Sequence, residues 1–254
     1  MKKKNYLFLF VIFSFFIFSC QSINTEKDIL GTPKYTVIFS FDDGPDENTT
    51  PLLLDVLAKY QIKAFFCLLG VNAEKYPGIV RRIYDEGHLF INHGYHDKWA
   101  VHMNNEEFRD NLIKCEEAVT NALGFYPHPK FFRPHGGFYK SFHRDIITDE
   151  GYILLPVNIR AYDAVSSASG KAATEREIIN KTIKRNGGVI LLHDARGGYQ
   201  EKEEELKRNP LGPFNRSWIP ETVENIIISL LDKGYILSNI DILEILGIES
   251  GKPE

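Results

Sequence analysis

Cysteine is scarce in this chain, with three in 254 residues, at positions 20, 67 and 115. Cys67 lies in an apolar run and Cys115 on the apolar side of a helical pattern. Both read as small core residues rather than a disulfide or a metal-binding pair. A basic excess is also missing. The net charge is −4, and without the three lysines of the leader described below it becomes −7. An acidic domain of this kind argues against nucleic acid as a partner and against steering by anionic polymers. There is no internal repeat. The one long apolar run, residues 6–18, is interrupted by Ser14 and is too short to span a bilayer comfortably.

That run follows Lys2, Lys3 and Lys4 and ends at Ser19-Cys20, the pattern of a secretory signal. Ile17-Phe18-Ser19-Cys20 resembles a bacterial lipobox, in which the cysteine is lipidated and becomes the new N-terminus. Gln21 after it is the weak signal for export to the outer membrane. The expected organisation is a lipoprotein-type signal peptide over 1–19, a polar tether over 20–33 and one folded domain over 34–250. The expected location is the bacterial cell envelope, at the outer membrane or the periplasmic face, with a membrane contact through a lipid on Cys20. A hydrophobic content of 43% suffices for one well-buried core.

What the domain does have is Phe39-Ser40-Phe41-Asp42-Asp43-Gly44-Pro45. The apolar run 35–41 reads as a buried strand, and two adjacent carboxylates arrive at its C-terminal end before a Gly-Pro turn. Neighbouring carboxylates repel. A metal ion relieves the repulsion if one Asp coordinates it and the other stays free as a base.

From residue 35 onward strand-like and helix-like patterns alternate. Strands are expected over 64–69, 88–92, 130–133, 152–158, 189–193 and 235–239. Helices are expected from Thr50-Pro51, over 73–85, from Asn105 to Gly124, and over 141–150, 174–184, 220–233 and 241–246. Seven βα units predict an α/β fold with a parallel sheet, closed or nearly closed as a barrel. Residues 195–216 interrupt the rhythm and read as an aperiodic, mobile loop over the active face. The strand ends deliver Asp42 and Asp43, then Asn92 to Asp97, then Arg133-Pro134-His135-Gly136-Gly137, then 158–163, and finally His193-Asp194. In parallel α/β barrels catalytic residues gather on that face, and this content suits metal-assisted hydrolysis.

These motifs make the chain resemble the polysaccharide deacetylases of the NodB-homology type, carbohydrate esterase family 4. Phe41-Asp42-Asp43-Gly44-Pro45, Gly87-His88, Asn92-His93, Phe132-Arg133-Pro134 and Leu191-Leu192-His193-Asp194 fall in the family's order. The resemblance implies a distorted seven-stranded (β/α) barrel, a divalent metal (zinc first), and hydrolysis of N-acetyl groups from an amino-sugar polymer such as peptidoglycan, a chitin-like oligomer or poly-N-acetylglucosamine. It implies that Asp42 is the general base acting on water, that Arg133 holds Asp42, and that His193 is the general acid, with Asp194 as its orienting partner. Asp43 and His93 become metal ligands. Leu191 would line the acetyl slot, the Gly136 N–H would face the oxyanion, and Tyr162 would stand in for a substrate-facing Trp.

The match departs from the family in three places. Gly94 replaces a small hydroxyl residue, and the second histidine stands at i+3 rather than i+4. The third ligand is therefore His96 if Gly94 lets the turn tighten, or Asp97 if the turn keeps its length; the permissive glycine favours His96. His135 and Gly136 replace a Pro and an aromatic in the third motif. Ala161 replaces an Asp that supports Arg133, with Asp163 one residue away as a substitute. These departures leave two other readings open: a glycan-binding surface lipoprotein with a degenerate site, and a related amidase acting on a smaller amide.

Overall fold

A computed structural model describes residues 20–22 and 34–238. The expected leader, the tether from residue 23, the helix over 241–246 and the domain end at 250 lie outside the described residues. No helix among the described residues is long and apolar enough to cross a membrane.

β1 (Cys20–Ser22) is followed by β2 (Thr36–Asp42), which reads TVIFSFD and is buried from end to end. β-branched and aromatic residues buried on both faces mark a central parallel strand. The chain continues through α1 (Thr50–Lys59), β3 (Ala64–Leu68), α2 (Gly70–Lys75), α3 (Pro77–Asp85), β4 (Leu89–Asn92) and α4 (Asn105–Leu123). Next come β5 (Phe131–Phe132), β6 (Phe138–Lys140), α5 (Ser141–Asp149), β7 (Ile153–Leu154), β8 (Ile159–Arg160) and α6 (Lys171–Arg185). β9 (Gly188–His193), α7 (Tyr199–Arg208), α8 (Ile219–Asp232) and β10 (Ile236–Leu237) complete it. α4 has both its ends written into the sequence. Asn104 and Glu107 form a reciprocal capping box, and Gly124 closes the helix at φ 93°.

The main sheet runs β7-β5-β4-β3-β2-β9-β8, all parallel, with β10 pairing the start of β2. β1 and β6 form a separate antiparallel pair. β7 and β8 occupy opposite edges of the main sheet, yet only residues 155–158 separate them. Five residue steps span at most about 18 Å of extended chain. The two edges must therefore approach each other, and the sheet curls into the expected distorted barrel.

Alternation along the strands then sorts chemistry by face. Phe39, Phe41 and Phe66 point outward into the large core shared with α1, α4 and α8. Ile38, Phe65, Cys67, Ile91, Phe131 and Val189 point inward and fill the barrel floor. Two or four residues further along the same inner face come Asp42, His93, Arg133 and His193. Apolar floor and polar rim are thus consecutive steps of one period-2 pattern.

Three expected elements differ. The helix over 73–85 is two helices, α2 and α3, because Pro77 lacks the N–H that would continue the first and instead starts the second. The strand over 152–158 is cut short: only β7 falls within it, joining β5 on one edge, and the chain leaves the sheet at Pro156 before β8, at 159–160, joins β9 on the other. The supposed loop over 195–216 contains α7. That helix buries none of its residues, so it carries no hydrophobic period. Its support is local, with Glu201 in the first turn, Lys207 and Arg208 in the last, and strong helix formers between.

Candidate active site

Asp42 ends β2, and its carboxylate accepts a hydrogen bond from Arg133 Nη1. The same nitrogen donates to Ser40 Oγ at 2.7 Å, and Arg133 Nε donates to the Leu155 carbonyl at 3.2 Å. Arg133 and Asp42 are both buried. The guanidinium is thus fixed from β2 and from the chain after β7, and it presents Asp42 rigidly at the barrel mouth. Asp43 adopts φ 73°, an uncommon region for a non-glycine residue. The conformation turns its carboxylate into the mouth beside that of Asp42. Gly44 follows because a side chain there would collide with Asp194, whose carboxylate oxygens lie 2.6 and 2.7 Å from the position of a Cβ.

Asp43 Oδ1 lies 3.4 Å from His93 Nε2 and 3.6 Å from His135 Nδ1. Both Asp43 Oδ1 and His135 Nδ1 are buried without a hydrogen-bond partner. The outer nitrogens of the two imidazoles are occupied. His93 Nδ1 is 2.7 Å from the Arg133 carbonyl, which can only accept, so that nitrogen carries the proton. His135 Nε2 is 2.5 Å from Asp97 Oδ1. One carboxylate oxygen and two ring nitrogens therefore converge with no donor between them, all within 4.8 Å of one another. That arrangement fits a cation, with a carboxylate or carbonyl behind each imidazole. The acidic surroundings that suit a cation also favour a proton, which a cation would have to displace from His135 Nδ1. Burial resists charge on His135, but Asp43 and Asp97 outweigh it and push the imidazole up to about 10. Burial likewise resists charge on Asp43, yet His135, His93 and His193 hold its carboxyl well below the usual range.

Asp42, Cys67 and His93 form a second group of possible ligands. Burial, then the charge of Asp42, raises the Cys67 thiol well above its ordinary value, which keeps it protonated and makes it a poor ligand.

The third ligand anticipated from sequence was His96 or Asp97, and neither belongs to the convergent group. Gly94 does take a positive φ of 89°, but the tightened turn folds onto Asn111, whose Oδ1 accepts from both Tyr95 N and His96 N at 3.0 Å. His96 is left exposed, with its ring against Tyr95. Asp97 stands behind His135 instead. His135 was read only as a departure from a motif. Its neighbour Pro134 and the strand end it occupies were visible in the sequence, but its approach to Asp43 was not.

His193 ends β9, and β9 pairs with β2 so that His193 stands opposite Asp42. Its Nδ1 is 3.2 Å from both oxygens of Asp163, and its backbone N–H donates to Asp163 Oδ2 at 2.8 Å. Burial lowers the affinity of His193 for a proton, but the charge and hydrogen bonding of Asp163 prevail and raise it to about 9. Asp163, not Asp194, is thus the carboxylate that orients His193. Asp194 turns away and accepts from Thr50 Oγ1 at 2.5 Å. Burial, only partly offset by that bond, pushes Asp194 up to about 7. Nor does Asp163 support Arg133, as the substitution of Ala161 suggested it would.

Arg216 fixes this pair, and sequence reasoning missed it. Its Nη2 donates to Asp163 Oδ2 at 2.7 Å and to the His193 carbonyl at 3.0 Å, while Nη1 donates to the Asp163 carbonyl at 2.8 Å. The sequence offered no signal that singled it out, since Arg196 and Arg208 lie in the same aperiodic stretch. Asn72 plays a similar role for the segment before α7: it donates to the carbonyls of Asp43 and Gly197 and accepts from Tyr199 N. The 195–199 segment is therefore pinned to the Asp-Asp turn, not a free flap. Of the remaining expected residues, Leu191 lies half-buried on the inner face two positions before His193. Gly136 adopts φ 70° beside His135, and the Tyr162 ring is 78% exposed.

A family model described as polysaccharide deacetylase matches residues 30–154. The peptidoglycan-N-acetylglucosamine deacetylase of Bacillus cereus is 36% identical over 168 residues, covering 65% of this chain and 58% of that protein's length. The chitooligosaccharide deacetylase of Rhizobium leguminosarum bv. trifolii is 27% identical over 169 residues, 66% of this chain and 75% of that protein. Among solved structures, the Bc1960 peptidoglycan N-acetylglucosamine deacetylase, in complex with 4-naphthalen-1-yl-N-oxidanyl-benzamide, is 30% identical with a TM-score of 0.68. That similarity covers 87% of this chain and 93% of the other.

Proposed function

Because the chain belongs to the polysaccharide deacetylase family, we propose that it hydrolyses N-acetyl groups on an amino-sugar polymer, releasing acetate and a free amine. The observation that carries this reading is the pairing of a braced carboxylate with a braced imidazole across adjacent strand ends. Asp42, at the end of β2, is held by Arg133, and His193, at the end of β9, is held by Asp163.

An amide is a weak electrophile with a poor leaving group, so it needs a base on one side and an acid on the other. Asp42 takes the proton from the attacking water. Arg133 keeps the carboxylate oxygen in place throughout. His193 Nε2 delivers a proton to the leaving nitrogen as the C–N bond breaks, with Asp163 holding Nδ1. The N–H of Gly136 is the candidate donor to the developing oxyanion, and Leu191 the candidate wall for the acetyl methyl. A divalent cation on Asp43, His93 and His135 would supply Lewis-acid polarisation of the carbonyl and make water more acidic. One carboxylate and two imidazoles are a donor set suited to zinc.

Acetate release from N-acetylated chitooligosaccharides and from peptidoglycan fragments tests the reading. Release from at least one is expected, and none from either would overturn it. Activity should fall on the alkaline side as His193 loses its proton. Its raised affinity puts that limb at about pH 9, or lower once a cation sits on Asp43 and opposes the imidazolium.

The motif Ile17-Phe18-Ser19-Cys20 supports a lipid on Cys20 that would tether the domain to the cell envelope. Cys20→Ser should move the protein from the membrane to the soluble fraction. Unchanged membrane association would remove the lipid from the picture.

A further inference from the structure

β1 runs antiparallel to β6, with Cys20 opposite Lys140, Gln21 opposite Tyr139 and Ser22 opposite Phe138. Among the described residues β6 pairs with no other strand. The motif at 17–20 makes Cys20 the first residue of a processed lipoprotein, so the strand begins at the residue that would carry the lipid. Two unrelated features, a processing motif and a backbone pairing, thus meet at one position. β6 in turn is fixed to the barrel. Tyr139 is buried in the large core, its hydroxyl accepts from Arg144 Nη2 at 3.1 Å, and α5 starts directly after Lys140.

The pairing decides which end of the barrel lies near the anchor. β2 runs from Thr36 at the far end to Asp42 at the mouth, a length of about 20 Å. A chain leading from Cys20 straight to Lys34 would join the barrel at the end opposite its mouth. Extended, the steps from 20 to 34 reach about 50 Å, so the mouth could stand about 70 Å from the lipid. The β1–β6 pair instead brings Cys20 to the mouth end. Opposite Cα atoms of an antiparallel pair lie about 5 Å apart, and the steps from Lys140 to His135 span at most about 18 Å. Cys20 therefore stands within about 23 Å of His135, the imidazole that faces Asp43.

We infer that the lipid-bearing strand docks on β6 and holds the barrel mouth close to the membrane, so that the substrate is an amino-sugar chain lying at that same bilayer surface. A lipid seats the residue that carries it at the headgroup level. A mouth held within about 23 Å of that level meets glycan attached to the same bilayer at a high effective concentration. The inference rests on both proposals above, the deacetylase activity and the lipid on Cys20.

The full-length lipidated protein, reconstituted in vesicles of phosphatidylethanolamine and phosphatidylglycerol, tests it in two steps. Hydrogen exchange should find the amides of 138–140 protected, and Gln21→Pro, which removes an N–H from the middle of β1, should release them. Acetate release is then compared for an N-acetylglucosamine tetramer free in solution and the same tetramer joined by a short spacer to a lipid in the vesicles. Inserting about twenty Gly and Ser residues after Cys20 leaves residues 21 and 22 able to pair but frees the lipid from the mouth. The insertion should slow the lipid-borne reaction about fivefold to tenfold and leave the free tetramer unaffected. Mass spectrometry verifies that each variant keeps its lipid. Unprotected 138–140 amides in the unaltered protein, or equal rates on the lipid-borne tetramer with and without the insertion, would overturn the inference. Membrane association unchanged by Cys20→Ser would remove the anchor, and the inference with it. No acetate from either tetramer, with 138–140 protected, would overturn the deacetylase reading and leave the placement of Cys20 standing.

Discussion

His135→Ala strips bound divalent metal from the protein, whereas His96→Ala leaves it in place. This result is expected because the structure gives the two histidines opposite surroundings. His135 Nδ1 is buried, lacks a hydrogen-bond partner and faces Asp43 Oδ1. His96 is exposed on a turn that closes on Asn111 instead of on the barrel mouth. Asp97 gives an intermediate case. It touches the outer nitrogen of His135, so Asp97→Asn loosens the ring without removing a ligand. Removing such a partner costs about tenfold to a hundredfold in metal affinity. The order of metal loss is then His135→Ala, Asp97→Asn, His96→Ala, measured as metal per chain after dialysis and by competition with a chelator. Loss of metal in His96→Ala with retention in His135→Ala would reverse the assignment. His135→Gln, which keeps bulk and polarity, separates ligand loss from collapse of the 135–138 turn.

The second large effect is at Asp42. Asp42→Asn should cut turnover by roughly 10²- to 10⁴-fold, the usual contribution of a positioned base, while leaving metal bound. Asp43→Asn should do the reverse in the first instance, losing metal and, with it, activity. The distinction follows from what each carboxylate touches. Asp42 is occupied by Arg133, and Asp43 keeps an unpartnered oxygen between two imidazoles. Asp42→Asn also leaves Arg133 as a buried charge without its partner, and breaking such a pair costs about 3–5 kcal/mol. A lowered melting temperature should accompany the loss of turnover. Adding Arg133→Met should restore much of the stability and none of the turnover. Equal metal loss in Asp42→Asn and Asp43→Asn would refute the division between base and ligand.

Several parts of this site can be read one strand at a time. The period of two along 38–42 and 189–193 places Asp42 and His193 on the same face as an apolar floor, and that period is a property of each strand alone. The ends of α4 are equally local, since Asn104, Glu107 and Gly124 satisfy the helix termini from within the helix. Where a local signal was weak, the reading strayed. α7 buries nothing, so it offers no hydrophobic period, and Pro156 divides a run that looks continuous by composition alone.

The third ligand and the partner of His193 belong to another class. Each is a meeting of segments far apart in the chain: His135 with Asp43 and Asp97, and Asp163 with His193 and Arg216. Spacing within a motif bears on such meetings only if the turn projects its side chains as expected, and the turn after His93 does not, because Asn111 of α4 captures its amides. The sequence by itself determined which residue types stand at the barrel mouth, because β-strand alternation carries them there. The tertiary structure decided which of them face one another, because that depends on how the curled sheet brings its separate strand ends together.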